Sequence, residues 1–338
     1  MSAGVWMSVE DVSDQLVGAF QNPALLLGIP LALAGAVFMS LGAQYQHRGV
    51  TKVERLSGSA GTSGLSFDQI KGLLTRPSWI LGTLMLGLAI VCQLSALAIA
   101  PLIVVQPLGA IALVITTLLN ARVSGHTPTR RSLTSIFACV GGIFLFVFLA
   151  AIFATEKDVT TENLFVILTT LLVVIIVLGA FWLILRHRMR ALFYVIGAGV
   201  LYGFVATLAK VIIKRLQAEN FDWLTLVCVI ALIAAAAVGA YFVQTAYSSG
   251  PPDLVIAGLT VVDPIVAVVI GIVVLGEAAA APVWALIAFA AIGAVAVWGV
   301  VGLARYHPQV LSESQELGIT RGSDGDSGGP STGPGIGR

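Results

Sequence analysis

The sequence predicts an all-α polytopic membrane protein, about nine transmembrane helices arranged as two inverted-topology repeats around a connector, 4+1+4. Three observations predict it. The 338 residues are 58% hydrophobic and only 10% charged, with mean hydropathy +0.98, whereas soluble domains run near ~45–50% apolar and ~25% charged. Nine stretches reach the roughly 20 apolar residues needed to cross ~30 Å of hydrocarbon. The chain also matches itself at an offset of 157 residues.

The nine stretches are 24–46, 79–99, 101–120, 132–154, 163–185, 191–214, 223–246, 252–276 and 281–303. Residues 1–23 form an acidic segment with Glu10, Asp11 and Asp14 but no Lys or Arg. It therefore lacks the basic n-region of a secretory signal, and the first span is expected to stay as an uncleaved anchor. Residues 304–338 are rich in Gly, Ser and Pro and read as a disordered tail. The connection 47–78 reads as one long loop, with a flexible middle "SGSAGTSGLS" and a short amphipathic piece "FDQIKGLL" suited to the membrane surface. Between Ala98 and Pro101 the link is so short that the second and third spans must form a tight hairpin.

Basic residues orient the chain. With the N-terminus outside, fourteen Lys and Arg fall in inward connections and the tail, while only Lys157, Lys214 and Arg215 fall outside. The expectation is a plasma-membrane protein with the N-terminus outside and the C-terminus cytoplasmic.

In the repeat, "VVQPLGAIALVITTLLNA" (104–121) lies over "VVDPIVAVVIGIVVLGEA" (261–278). Gln106 sits opposite Asp263, Pro107 opposite Pro264 and Asn120 opposite Glu277. A weaker match sets "GAVF" (35–38) over "GVLY" (199–202). The third span runs outside to inside and the eighth the reverse, so 24–154 and 191–303 form inverted halves, with a connector span in 155–190. Secondary transporters are built this way, with sites near the midplane at the repeat interface.

These inverted halves, the "P…LGE" ending at Glu277 and the hairpin before the third span together resemble the drug/metabolite transporter superfamily, EamA-like. "QHRGV" (46–50) and "APLIVVQPLGAIALVITTLLNA" (100–121) make the first half resemble its NIPA-type magnesium-transporter branch. The resemblance implies a transporter fold and, for that branch, magnesium as substrate. Asn120 departs from the branch, standing where an acidic residue commonly ends the third span.

Asp263 lies near mid-depth in the eighth span, where lipid exposure would cost at least ~2.5–3.5 kcal/mol, so it is expected to face the bundle interior. Pro264 removes a helical hydrogen bond, and Pro107 does the same in the third span. Both prolines are expected to mark helix breaks beside a polar cavity. Lys210, with Gly203, Thr207 and Lys214, defines one face of the sixth span. Its alternatives are snorkelling to the interface, pairing with Asp263, or receiving an anionic substrate. Further inward candidates are Gln93 and Ser95, Gln106, and the Tyr241, Gln244 and Ser248 face of the seventh span. "GVLYG" (199–203) is a small-xxx-small pattern that permits close helix approach. Glu277 and Asp253 sit at span ends and read as ordinary interfacial charges.

Cys92, Cys139 and Cys228 read as buried hydrophobes, and the four histidines as loop residues without metal-ligand spacing. No nucleophile triad, Walker or Rossmann pattern is present, so no enzyme and no cofactor is expected. Expected partners are the lipid bilayer and a small-molecule or ion substrate, with a homodimer allowed and no nucleic acid.

The leading reading is a gradient-driven transporter or exporter of a small organic metabolite, amphiphilic or lipid-linked, working by alternating access around a midplane cavity. In it, Asp263 is the ion- or proton-responsive group and Lys210 the contact for an anionic moiety. Magnesium ranks second. Asp263 is the only mid-membrane carboxylate, supported by Gln and Tyr oxygens at most, so it is the metal ligand if magnesium is the substrate, and Lys210 nearby would oppose a cation. A third reading is a non-transporting scaffold in envelope assembly.

Overall fold

A computed structural model describes residues 21–57, 75–124, 130–185, 191–249 and 252–305. These form ten helices: α1 (Pro23–Ser57), α2 (Pro77–Ile99), α3 (Leu102–Gly109), α4 (Ile111–Ser124), α5 (Arg130–Phe153), α6 (Thr161–Leu185), α7 (Ala191–Gln217), α8 (Trp223–Ser249), α9 (Pro252–Val273) and α10 (Val283–Arg305). The pieces α3 and α4 together make one span, Leu102–Leu119, so the described residues hold nine candidate membrane spans. The outward faces carry large apolar side chains, such as Phe144 at 71% and Ile184 at 78% exposure. In water such patches would drive association; on membrane-spanning helices they are lipid-facing.

Helix α1 continues to Ser57, so residues 47–57, expected in a loop, extend the first helix instead. Nothing in "QHRGVTKVERLS" supplies a Pro or Gly pair strong enough to stop it. The flexible middle of that loop, its amphipathic piece, the acidic N-terminal segment and the tail beyond Arg305 lie outside the described residues.

Helix packing repeats between the halves. α1 packs on α2 as α7 packs on α8, α1 packs on α3 and α4 as α7 packs on α9, and α3–α4 packs on α5 as α9 packs on α10. The halves join through α5 with α10 and α3 with α9, and less extensively through α2 with α7 and α4 with α10. α6 lies at the periphery against α7 and α8. This is the pairing that two inverted four-span units make, with the fifth span as connector.

Small residues set the closest approaches. An added Cβ on Gly199 would stand 2.6 Å from Val262 Cβ, and one on Gly203 2.7 Å from Val266 Cβ, so the "GVLYG" pattern is where α7 and α9 touch. On the central seam, a Cβ on Gly142 would come within 2.8 Å of the Ala296 backbone. Such backbone proximity maximises dispersion where lipid removes the hydrophobic drive between helices.

The two prolines behave differently. Pro107 lies two residues before the α3–α4 break, where the Ala110 N–H turns to Pro107 and Leu108 carbonyls. Pro264 sits inside an uninterrupted α9, against the expected break.

Candidate functional site

Helix α9 presents three sectors. Val262 and Val266 face α7, and Gly271 faces Leu102 of α3, whose Cβ would lie 3.4 Å from an added Cβ. At 100° per residue, Asp263 falls between those two directions, towards the bundle centre. Its Oδ1 is buried and has no hydrogen-bond partner. Helix α7 approaches its backbone, an added Cβ on Gly199 standing 3.4 Å from the Asp263 N.

The third sector of α9 lines a cavity of about 590 Å³ shared with α3, α5 and α10. Pro107 and Pro264 both line it, with Phe146, Val268 and Phe289 among a wall that is almost wholly apolar. Asp263 is not on that wall. The aspartate and its proline neighbour therefore serve different spaces, where the sequence pointed to one polar cavity for both. Successive residues on a helix point 100° apart, and that separation divides the pair.

Lys210 neither snorkels freely nor pairs with Asp263. Its residue is 2% exposed, and its Nζ donates to the Ala100 carbonyl at 2.8 Å. The same Nζ makes ion pairs with Glu277 at 3.0 Å and with Glu156 at 3.3 Å. Three ammonium protons thus meet three acceptors. Glu277, also 2% exposed, accepts the Leu102 N–H on Oε1 and the Ile103 N–H on Oε2, each at 2.8 Å. Those amides open α3 behind Pro101, at the positive end of the helix, where a carboxylate is favoured. Gly271 leaves room for it, since a Cβ there would stand 2.8 Å from Glu277 Oε2. Gly276 at φ 67° turns the chain out of α9 so that Glu277 can reach back. Glu156 also binds Lys214 at 2.9 Å, and the Thr155 N–H donates to the Glu277 carbonyl at 2.7 Å.

The other candidates are dispersed. Thr207 is fully buried but spends its hydroxyl on the Gly203 carbonyl one turn back, at 2.9 Å. Gln106 is buried on α3. Gln93 lies half-buried at the α1–α2 contact, where its N–H approaches Gly35. Ser95 is half-buried too. Tyr241 is 56% exposed, and Gln244 and Ser248 are also exposed, so that face of α8 points out of the bundle instead of into a cavity. It is Phe242 that α8 turns inward, against Gly197 and Tyr194. The side chains of Asn120 and Asp253 lie outside what is described.

Sequence reasoning passed over Glu277, Glu156 and the α3 amides. The signal was available for Glu277: "LGEAAAAP" surrounds it with small apolar residues and no solvating polar neighbour.

Fold and site define a multi-pass membrane protein of transporter architecture, with, among the described residues, a buried carboxylate oxygen lacking a hydrogen-bond partner within α9 and an ionic cluster at a bundle end. A family model described as "Magnesium transporter NIPA" matches residues 24–219, and the chain belongs to that family, a branch of the drug/metabolite transporter superfamily. It is 26% identical over 284 residues to an uncharacterised protein of Corynebacterium glutamicum, covering 83% of this chain and 95% of that one. No solved structure matches. The family match includes Leu102, Glu156 and Lys210 and stops short of Asp263 and Glu277.

Proposed function

We propose that the chain carries a small cation, magnesium in the family's terms, across the plasma membrane by alternating access, with Asp263 as the mid-depth site. One observation carries this reading. A buried carboxylate oxygen faces the bundle centre with no donor, a costly arrangement that a cation or its hydration water relieves.

The objection raised by the sequence, a repelling Lys210, is answered by the pairing. Lys210 and Lys214 meet Glu156 and Glu277, and the four charges sum to zero. Among the described residues no group of three or more His, Cys, Asp or Glu stands together. A dehydrated, all-protein cage therefore has no ligands here, whereas Mg²⁺ keeps several waters and is content with one or two carboxylates. The basic-residue distribution supports a Glu277 end on the outside and a cytoplasmic C-terminus.

A second reading rests on the apolar cavity. Its volume, about 590 Å³, falls within the ~300–1,000 Å³ of ligand pockets and suits the apolar part of an amphiphilic metabolite.

Proteoliposomes loaded with a magnesium-sensitive dye separate the two. The wild-type chain is expected to pass Mg²⁺ down its gradient, and Asp263→Asn to reduce the signal to that of empty vesicles while remaining monodisperse in detergent. Absence of flux from the wild-type chain would move the assignment to the amphiphile. Full flux in Asp263→Asn would refute the role of Asp263.

A further inference from the structure

The ionic cluster has a composition that packing alone does not require. Ala100, Leu102 and Ile103 come from the first half, Lys210 and Glu277 from the second, and Glu156 from the link between α5 and the connector helix. At the α5–α10 seam the halves meet through close glycine contacts, Gly142 against Ala296 and Gly299 against Cys139, without an ion pair among the described residues. At the cluster they meet through charge. A buried ion pair adds little net stability over apolar packing, yet leaving one partner unpaired is heavily penalised. Such a contact has two tolerable arrangements, fully made or fully hydrated, and a poor continuum between them.

The surroundings fit that behaviour. Leu102 and Ile103 are 0% exposed, so the inner part of the cluster is dry. At its rim the Glu156 and Lys214 side chains are 27% and 23% exposed, so water already reaches the outermost pair. Glu277 follows the Gly276 turn, past the end of α9, where its backbone N–H donates to the Gly271 carbonyl at 2.9 Å while its side chain reaches across to α3.

We propose that this cluster is the gate closing its end of the bundle, and that Glu277 leaves the Leu102 and Ile103 amides once in each transport cycle. The inference rests on the alternating-access reading above but not on magnesium as the substrate.

The test is thiol accessibility of the full chain in vesicles, with Cys92, Cys139 and Cys228 replaced by alanine and Leu102→Cys introduced. The probe is a membrane-impermeant methanethiosulfonate reagent. Labelling is expected to be slow with the cluster intact and at least about tenfold faster with Glu277→Gln, the tenfold corresponding to 1.4 kcal/mol in the open–closed equilibrium. Should Glu277→Gln not fold, Glu277→Asp, one methylene too short to hold both amides, is expected to give an intermediate rate. Equal rates in the parent and in whichever Glu277 variant folds would overturn the gate. Faster labelling without Mg²⁺ flux would leave the gate standing and refute the substrate; Mg²⁺ flux with unchanged labelling would do the reverse.

Discussion

Asp263 and Glu277 are fourteen residues apart, one within α9 and the other just past its end, yet their surroundings are opposite. Glu277 has both oxygens occupied by backbone amides and an ammonium beside it. Asp263 has a buried oxygen with nothing donating to it. The more deeply buried carboxylate is thus the better satisfied one, and depth alone does not mark a functional acid. The count of donors and acceptors does. A group whose partners are all internal holds the protein together, while a group left open is available to something that comes and goes.

The sharpest way to break this contrast is to neutralise each acid in turn. Asp263→Asn is expected to abolish transport while leaving thermal stability unchanged or higher, since it removes an unpaired charge from the bundle interior. Glu277→Gln is expected to destabilise the fold by about 3–5 kcal/mol, because Lys210 then loses a buried counter-charge. Thermal unfolding in detergent reads both, and a stability loss in Asp263→Asn equal to that in Glu277→Gln would erase the distinction.

A smaller effect tests how Asp263 is held. Gly203→Val should cost about 1–3 kcal/mol by overpacking against Val266. It should also lower transport, since an added Cβ on Gly203 would stand 3.0 Å from the Asp263 carbonyl. The smallest effect concerns the α7–α8 turn, where Asp222 binds Arg215 at 2.6 Å and the Thr225 N–H at 2.9 Å. The Thr225 backbone bond first, then its hydroxyl and Arg215, hold the Asp222 carboxyl below the usual carboxylate range. Because its folded pKa is depressed, its contribution is present at neutral pH and fades as pH falls through that lowered value. Asp222→Asn should therefore lower the melting temperature slightly at pH 7 and not at all in strong acid.

Much of the architecture was legible in the sequence because the bilayer enforces it. Span length follows from hydropathy, the inverted halves from the 157-residue self-match and the span count, and the glycine contact at 199–203 from small-residue spacing. The sequence also predicts that Asp263 faces the bundle interior, since lipid excludes a charge, and its Oδ1 is buried. The pairing of Lys210 was not legible. Its partner is 67 residues away in sequence, and nothing local in either helix announces it. Tyr241 and Gln244 misled for a related reason: α8 is apolar all round, so a few polar atoms are no guide to which face turns inward. Asp263 and Pro264 were read as one signal because they are adjacent, although neighbours on a helix look in different directions.

The unequal fate of the two prolines also makes the halves mechanically unlike. One carries a jointed strut, split at Gly109–Ala110; the other carries a single rod from Pro252 to Val273. The joint interrupts the backbone of the first half at the repeat position, whereas α9 runs on through Pro264 and gives up only one backbone hydrogen bond. Asp263 thus shares one unbroken helix with the Gly271 carbonyl that receives the Glu277 N–H. The internal duplication is symmetric in outline and asymmetric in continuity.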